Sequence, residues 1–151
     1  MPCSDDSRAF ALRCRADVVE VQRFVRACAS RLGFSTVAAW EVATAASEAA
    51  TNILKHSHGG TITICADDAS RSLGFVAEDC GPGIDNLERA MHDGFSEGLQ
   101  LGREHSSYGR RGLGAGLAAM QRLMHTFSIE STATGTTVTA KKFSTPPATG
   151  R

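Results

Sequence analysis

Three short motifs, taken in order, constrain this chain of 151 residues more than anything else in it: Glu48-Ala-Ala-Thr-Asn52, Asp79-Cys-Gly81-Pro-Gly83 and Gly112-Leu-Gly114-Ala-Gly116. The first sets an acid and an amide one helical turn apart, so both project from one helix face. The second puts a carboxylate on a glycine-rich turn. The third is a glycine run opening a helix, where free backbone N–H groups and the helix dipole favour phosphate. A fold that uses all three must bring a helix face, a strand end and a helix start to one place.

The segments between the motifs supply that frame. Residues 9–15 alternate in polarity and read as a strand. Asp17 is placed to cap a helix whose apolar face is Val21, Phe24, Val25, Cys28, Ala29 and Leu32, and Gly33 stops it. A second helix runs from Ser35 or Thr36 to about Ser57, with Ala38, Val42, Ala45, Ala46, Ala49 and Ile53 on its apolar face. Such small side chains let a helix lie close to a sheet. Glu41, Glu48, Asn52, Lys55 and His56 lie off that face. His58-Gly59-Gly60 makes a turn, residues 61–66 a strand, 67–70 a hairpin turn, and 71–78 the returning strand that ends on Asp79. Residues 114–125 form a helix with Leu117, Met120, Leu123 and Met124 inward. Residues 127–131 and 136–143 are closing strands around Gly135, and 144–151, with Pro146-Pro147, is a loose tail. The order β-α-α-β-β-loop-α-β-β predicts a two-layer α/β sandwich: a mixed, mostly antiparallel sheet with helices on one face. The whole chain, 1–151, is read as one domain with its core at about 9–143.

Composition removes several classes. Sixteen basic and sixteen acidic residues balance, so no bulk charge draws the chain to nucleic acid or anionic membrane. No apolar run approaches the roughly 20 residues of a membrane helix. The acidic start, Met1 to Asp6, lacks a signal-peptide pattern, and a cytoplasmic protein is expected. Cys3, Cys14, Cys28, Cys65 and Cys80 are odd in number and scattered, which suits reduced thiols.

Each motif has an ordinary reading beside its chemical one. Asn52 offers a neutral oxygen suited to magnesium, and Glu48 can take a proton from an attacking hydroxyl. Taken alone, a solvated helix face explains that pair more readily; the two glycine motifs downstream reverse the balance. Asp79 can accept a hydrogen bond from the exocyclic amine of adenine, with glycines letting backbone pass close to the base; Asp, Gly and Pro also make common turns. The 112–116 glycines serve phosphate or simply link into a helix, and Arg110 and Arg111 either steady phosphates or are solvated. There is no Gly-Lys-Ser/Thr phosphate loop and no dinucleotide fingerprint. Residues 85–111, glycine-rich and poor in core pattern, are read as a mobile lid.

Together the motifs resemble the GHKL (Bergerat-fold) superfamily of gyrase-type topoisomerases, heat-shock chaperones, histidine kinases and partner-switching serine/threonine kinases, over about residues 9–143. The resemblance implies ATP and Mg2+ as cofactors. It assigns Glu48 as general base, Asn52 as magnesium ligand, His56 to the phosphate side, and Asp79 with Gly81 and Gly83 to the adenine pocket. It assigns Arg111, Gly112, Gly114, Gly116 and Leu117 to the phosphate loop, and Thr136 to support of the adenine-binding acid. Residues 112–124, 127–131 and 135–139 look most like the switch kinases of stressosome modules, relatives of the anti-sigma factor kinases. Those phosphorylate STAS-domain antagonists and, when released, activate a PP2C-type phosphatase. Cys80 departs from the pattern, since members often carry Asn or Gln there. An anti-sigma factor that grips a sigma factor directly, with ATP or ADP as its switch, shares the same motifs and is the alternative.

Overall fold

The computed structural model describes residues 6–57, 59–81, 95–96, 99–100 and 116–144. Along them run β1 (Arg8–Leu12), α1 (Arg15–Arg31), α2 (Thr36–His56), β2 (Gly60–Asp67), β3 (Ser72–Asp79), β4 (Phe95–Ser96), β5 (Leu99–Gln100), α3 (Gly116–Leu123), β6 (Thr126–Thr132) and β7 (Gly135–Phe143). Five strands form one sheet in the order β1-β2-β3-β7-β6. Its ladders are antiparallel throughout, where the sequence predicts a mostly antiparallel sheet. The short β4–β5 ribbon falls within the 85–111 stretch.

Strand alternation decides which face of the sheet is covered. Register sets Phe10, Ile62, Ala77, Val138 and Ile129 in one row across it, and Ile64, Phe75, Ala140 and Phe127 in the next. The helices pack on these rows, and the core is there. Thr61, Thr63, Thr137 and Thr139 point to the other face, half-buried. One apolar face and one polar face is the usual design of an antiparallel sheet.

The alanines of α2 do what their size suggests. Ala43, Ala45, Ala46 and Ala50 are fully buried, with Val42, Ala49 and Ile53 beside them. Ser35 caps the helix, its Oγ accepting from the Ala38 N–H at 3.1 Å. At α1 the cap is Cys14, not Asp17. Asp17 sits three residues in and reaches back, its Oδ2 accepting from the N–H groups of Arg13 (2.8 Å) and Cys14 (3.0 Å). These bonds, led by that from Arg13, hold its carboxyl below the usual 3.8. Gly60 opens β2 instead of ending a turn, because its backbone pairs with Asp79. Cys14, Cys28 and Cys80 are free thiols, but Cys65 is disulfide-bonded, against the expectation of reduced thiols. Among the described residues no helix is long and apolar enough to cross a membrane.

Candidate active site

The middle of α2 carries Glu48 and Asn52, both half-buried. Their cover is the first turn of α3. A Cβ built on Gly116 would lie 3.2 Å from Glu48 Oε1 and 3.3 Å from Asn52 Nδ2. The helix start therefore rests on the acid–amide pair, and a side chain there would make Glu48 and Asn52 give by a few tenths of an ångström. Glu48 Oε1 is buried beneath it. α3 is held in place by Leu117, Ala118 and Met120 in the core. Leu117 turns its side chain inward, so its backbone is what remains to face a ligand.

The end of β3 forms a second wall. Asp79 lies in register with Gly60 on one side and Thr136 on the other. Its Oδ1 accepts the Gly81 N–H at 2.8 Å, closing a turn of the kind Asp favours. Gly81 is pressed against the end of α2: a Cβ there would come within 2.7 Å of Ser57 Cβ and 3.0 Å of the His56 carbonyl. Thr136 is buried, and its Oγ1 lies 3.0 Å from Ser131 Oγ. His56 is exposed in the last turn of α2.

One helix thus joins both walls. Its middle meets α3, and its end meets the Asp79 turn. Glu48 and His56 are eight residues apart, about 12 Å along a helix axis, on the scale of a nucleotide. Gly83, Arg111, Gly112 and Gly114 lie outside the described residues, as does most of the 85–111 stretch. Ser57, whose Oγ donates to the Ile53 carbonyl at 2.9 Å and whose Cβ faces Gly81, carries no signal in the sequence that marks it as part of this wall. No group of three or more His, Cys, Asp or Glu that could hold a metal occurs among the described residues.

Residues 10–142 match the histidine kinase-like ATPase domain. The chain belongs to that family. Among curated proteins it is similar to the serine/threonine-protein kinase RsbT of Bacillus subtilis strain 168, at 39% identity over 130 residues, covering 84% of this chain and 89% of that one. It is also similar to the anti-sigma F factor of Clostridium acetobutylicum, at 34% identity over 106 residues and 68% of each chain. As a histidine kinase-like ATPase domain, the α/β sandwich uses ATP.

Proposed function

We propose that this protein is an ATP-dependent serine/threonine kinase of a partner-switching module, acting on a STAS-domain antagonist. The observation that carries the reading is the seating of Gly116 on Glu48 and Asn52. It sets a proton acceptor beside a helix start suited to phosphate, which is the pairing phosphotransfer to a hydroxyl requires. In this reading Glu48 takes the proton from the attacking hydroxyl. Asp79 reads adenine with Oδ2, its Oδ1 being used by the Gly81 N–H. Thr136, beside Asp79 in register, stiffens that wall. Gly81 and Gly83 border the base, and His56 lies toward the phosphates. Arg111, Gly112, Gly114, Gly116 and the Leu117 backbone hold the phosphates, with 85–111 closing over them.

The donor set fits magnesium. Mg2+ is commonly held by one or two protein oxygens plus substrate phosphates, and the Asn52 amide oxygen would supply one of them. When bound, the ion neutralises charge on the phosphates.

A protein substrate is supported by what α2 shows outward. Val37 and Trp40 are 67% and 49% exposed, and Thr44 is exposed one turn further on. Arg26 of α1 lies over the Trp40 ring, 4.4 Å from its centroid. This largely uncharged strip leads along the helix toward Glu48. Phosphate gained by the partner adds charge beside the nucleotide's own, so the product is released by repulsion. The freed kinase then binds its next target, a PP2C-type phosphatase. We place the protein in the cytoplasm, where ATP is made.

The anti-sigma reading has its own support in the similarity to the anti-sigma F factor. Incubating the protein with labelled ATP, Mg2+ and purified STAS-domain proteins separates the two. Label on a STAS serine or threonine is the expected outcome. Tight binding of a sigma factor with no label on any STAS protein would favour the alternative.

A further inference from the structure

We propose that Lys142 is a positioning residue for phosphotransfer: it clamps the far end of α3 to α2 and so holds Gly116 over Glu48 and Asn52. The role rests on the reading of Glu48 as the base. Lys142 stands near the end of β7 with its side chain only 11% exposed, an unusual depth for lysine unless it is paired. It is paired twice. Nζ donates to the Leu123 carbonyl at 2.7 Å, at the C-terminus of α3. It also lies 3.2 Å from Glu41 Oε1, on α2. The last carbonyls of a helix have no partner within it, and a cation there also complements the helix dipole.

The geometry explains why one end of α3 matters to the other. The helix is eight residues, Gly116 to Leu123, about 12 Å long. Its start rests on Glu48 and Asn52, and its end is tied through Lys142 to Glu41. Glu41 precedes Glu48 by seven residues, two turns back along α2. α3 therefore runs antiparallel to α2, a short rod touching it at both ends. The far end is braced further where the chain turns into β6. The Met124 N–H donates to the Met120 carbonyl at 3.1 Å, and the His125 N–H donates to the Lys141 carbonyl at 2.9 Å. Releasing the Lys142 clamp lets the rod pivot on its core contacts, and the seat over Glu48 shifts. Small displacements of this kind act on the rate of a positioned reaction more than on ground-state binding.

The test compares Lys142→Met, Lys142→Arg and the milder Glu41→Gln with the whole wild-type chain. Phosphotransfer from labelled ATP to a purified STAS-domain protein gives kcat and KM, and hydrogen exchange follows the amides of 116–123. Lys142→Met is expected to lower kcat on the order of 10- to 10²-fold with KM for ATP little changed, and to speed exchange in α3 while β3 stays protected. Glu41→Gln should move both readouts the same way by less, and Lys142→Arg should recover most of the loss. Wild-type kcat in both charge-removing variants overturns the proposal. So does α3 exchange that does not change, or a loss of kcat that tracks nucleotide affinity and melting temperature together. If the wild-type protein transfers no phosphate, the kinase reading falls on that result alone, and exchange in α3 still decides whether the clamp exists.

Discussion

The two walls of the site are built by different physics. The Asp79 wall is part of a sheet. Its position is set by the ladders to β2 and β7, and the Asp79 turn is pinned again by Gly81 against Ser57. Moving it means breaking strand pairing. The Glu48 wall depends on side-chain packing between two helices, one of them only eight residues long. Helix packing tolerates small shifts that a ladder does not. On the proposed assignment, the rigid wall suits selection of a base, and the adjustable wall suits a step in which phosphates arrive and leave.

That contrast is sharpest in two substitutions expected to give opposite results. Glu48→Gln should lower phosphotransfer by roughly 10²–10⁴-fold, the range for loss of a general base, with ATP affinity nearly kept. A variant that transfers phosphate at the wild-type rate would remove Glu48 from the mechanism. Asp79→Asn should do the reverse. It replaces a charged acceptor worth about 1.5–3 kcal/mol, so calorimetry should show ATP binding weakened and the preference over GTP reduced. If both variants lowered rate and affinity alike, the two walls would not be separable.

The smallest effect concerns pH, at the point where the helical wall is tied down. His125 stacks on Phe143 and accepts the Phe143 N–H on Nδ1 at 3.0 Å, a bond only the neutral ring can accept. Partial desolvation first, then the nearby Lys142 charge, pushes the pKa of this otherwise exposed ring below the ordinary 6.5, with Glu41 opposing. The unfolded chain therefore binds this proton more readily than the folded one. Stability from His125 is fully present above pH 6.5 and declines as pH falls toward the folded pKa. Melting temperature followed against pH should fall more steeply for the wild type than for His125→Asn. Equal slopes would show that this ring does not sense pH.

Much of this is legible in the chain and some is not, for identifiable reasons. The α2 face is readable because alanines at helical spacing leave few alternatives, and Ser35 announces its start. Glu48 and Asn52 are readable as neighbours because four residues is one turn. Gly116 resting on them is not, since spacing along a chain does not tell which helix face another helix will meet. Asp17 reads as the cap itself, three positions from the true one, because a capping carboxylate can act from the cap or reach back to it. The Glu41–Lys142 contact joins residues far apart in the chain, and either alone reads as a solvated charge. Gly83, Arg111, Gly112, Gly114 and most of the proposed lid lie outside the described residues, so for them the sequence reading stands alone.

The crowded alanine face of α2 also bears on how such a protein can diversify. Ala43, Ala45, Ala46 and Ala50 are wholly enclosed, so a larger side chain there lifts the helix and carries Glu48 and Asn52 with it. Val37, Trp40 and Thr44 are exposed on the same helix, where substitutions leave the helix seated. New partners can thus be acquired by changing the exposed first half of a single helix while Glu48 and Asn52, further along it, are left intact. Duplicated copies of such a gene have a ready route to separate signalling circuits.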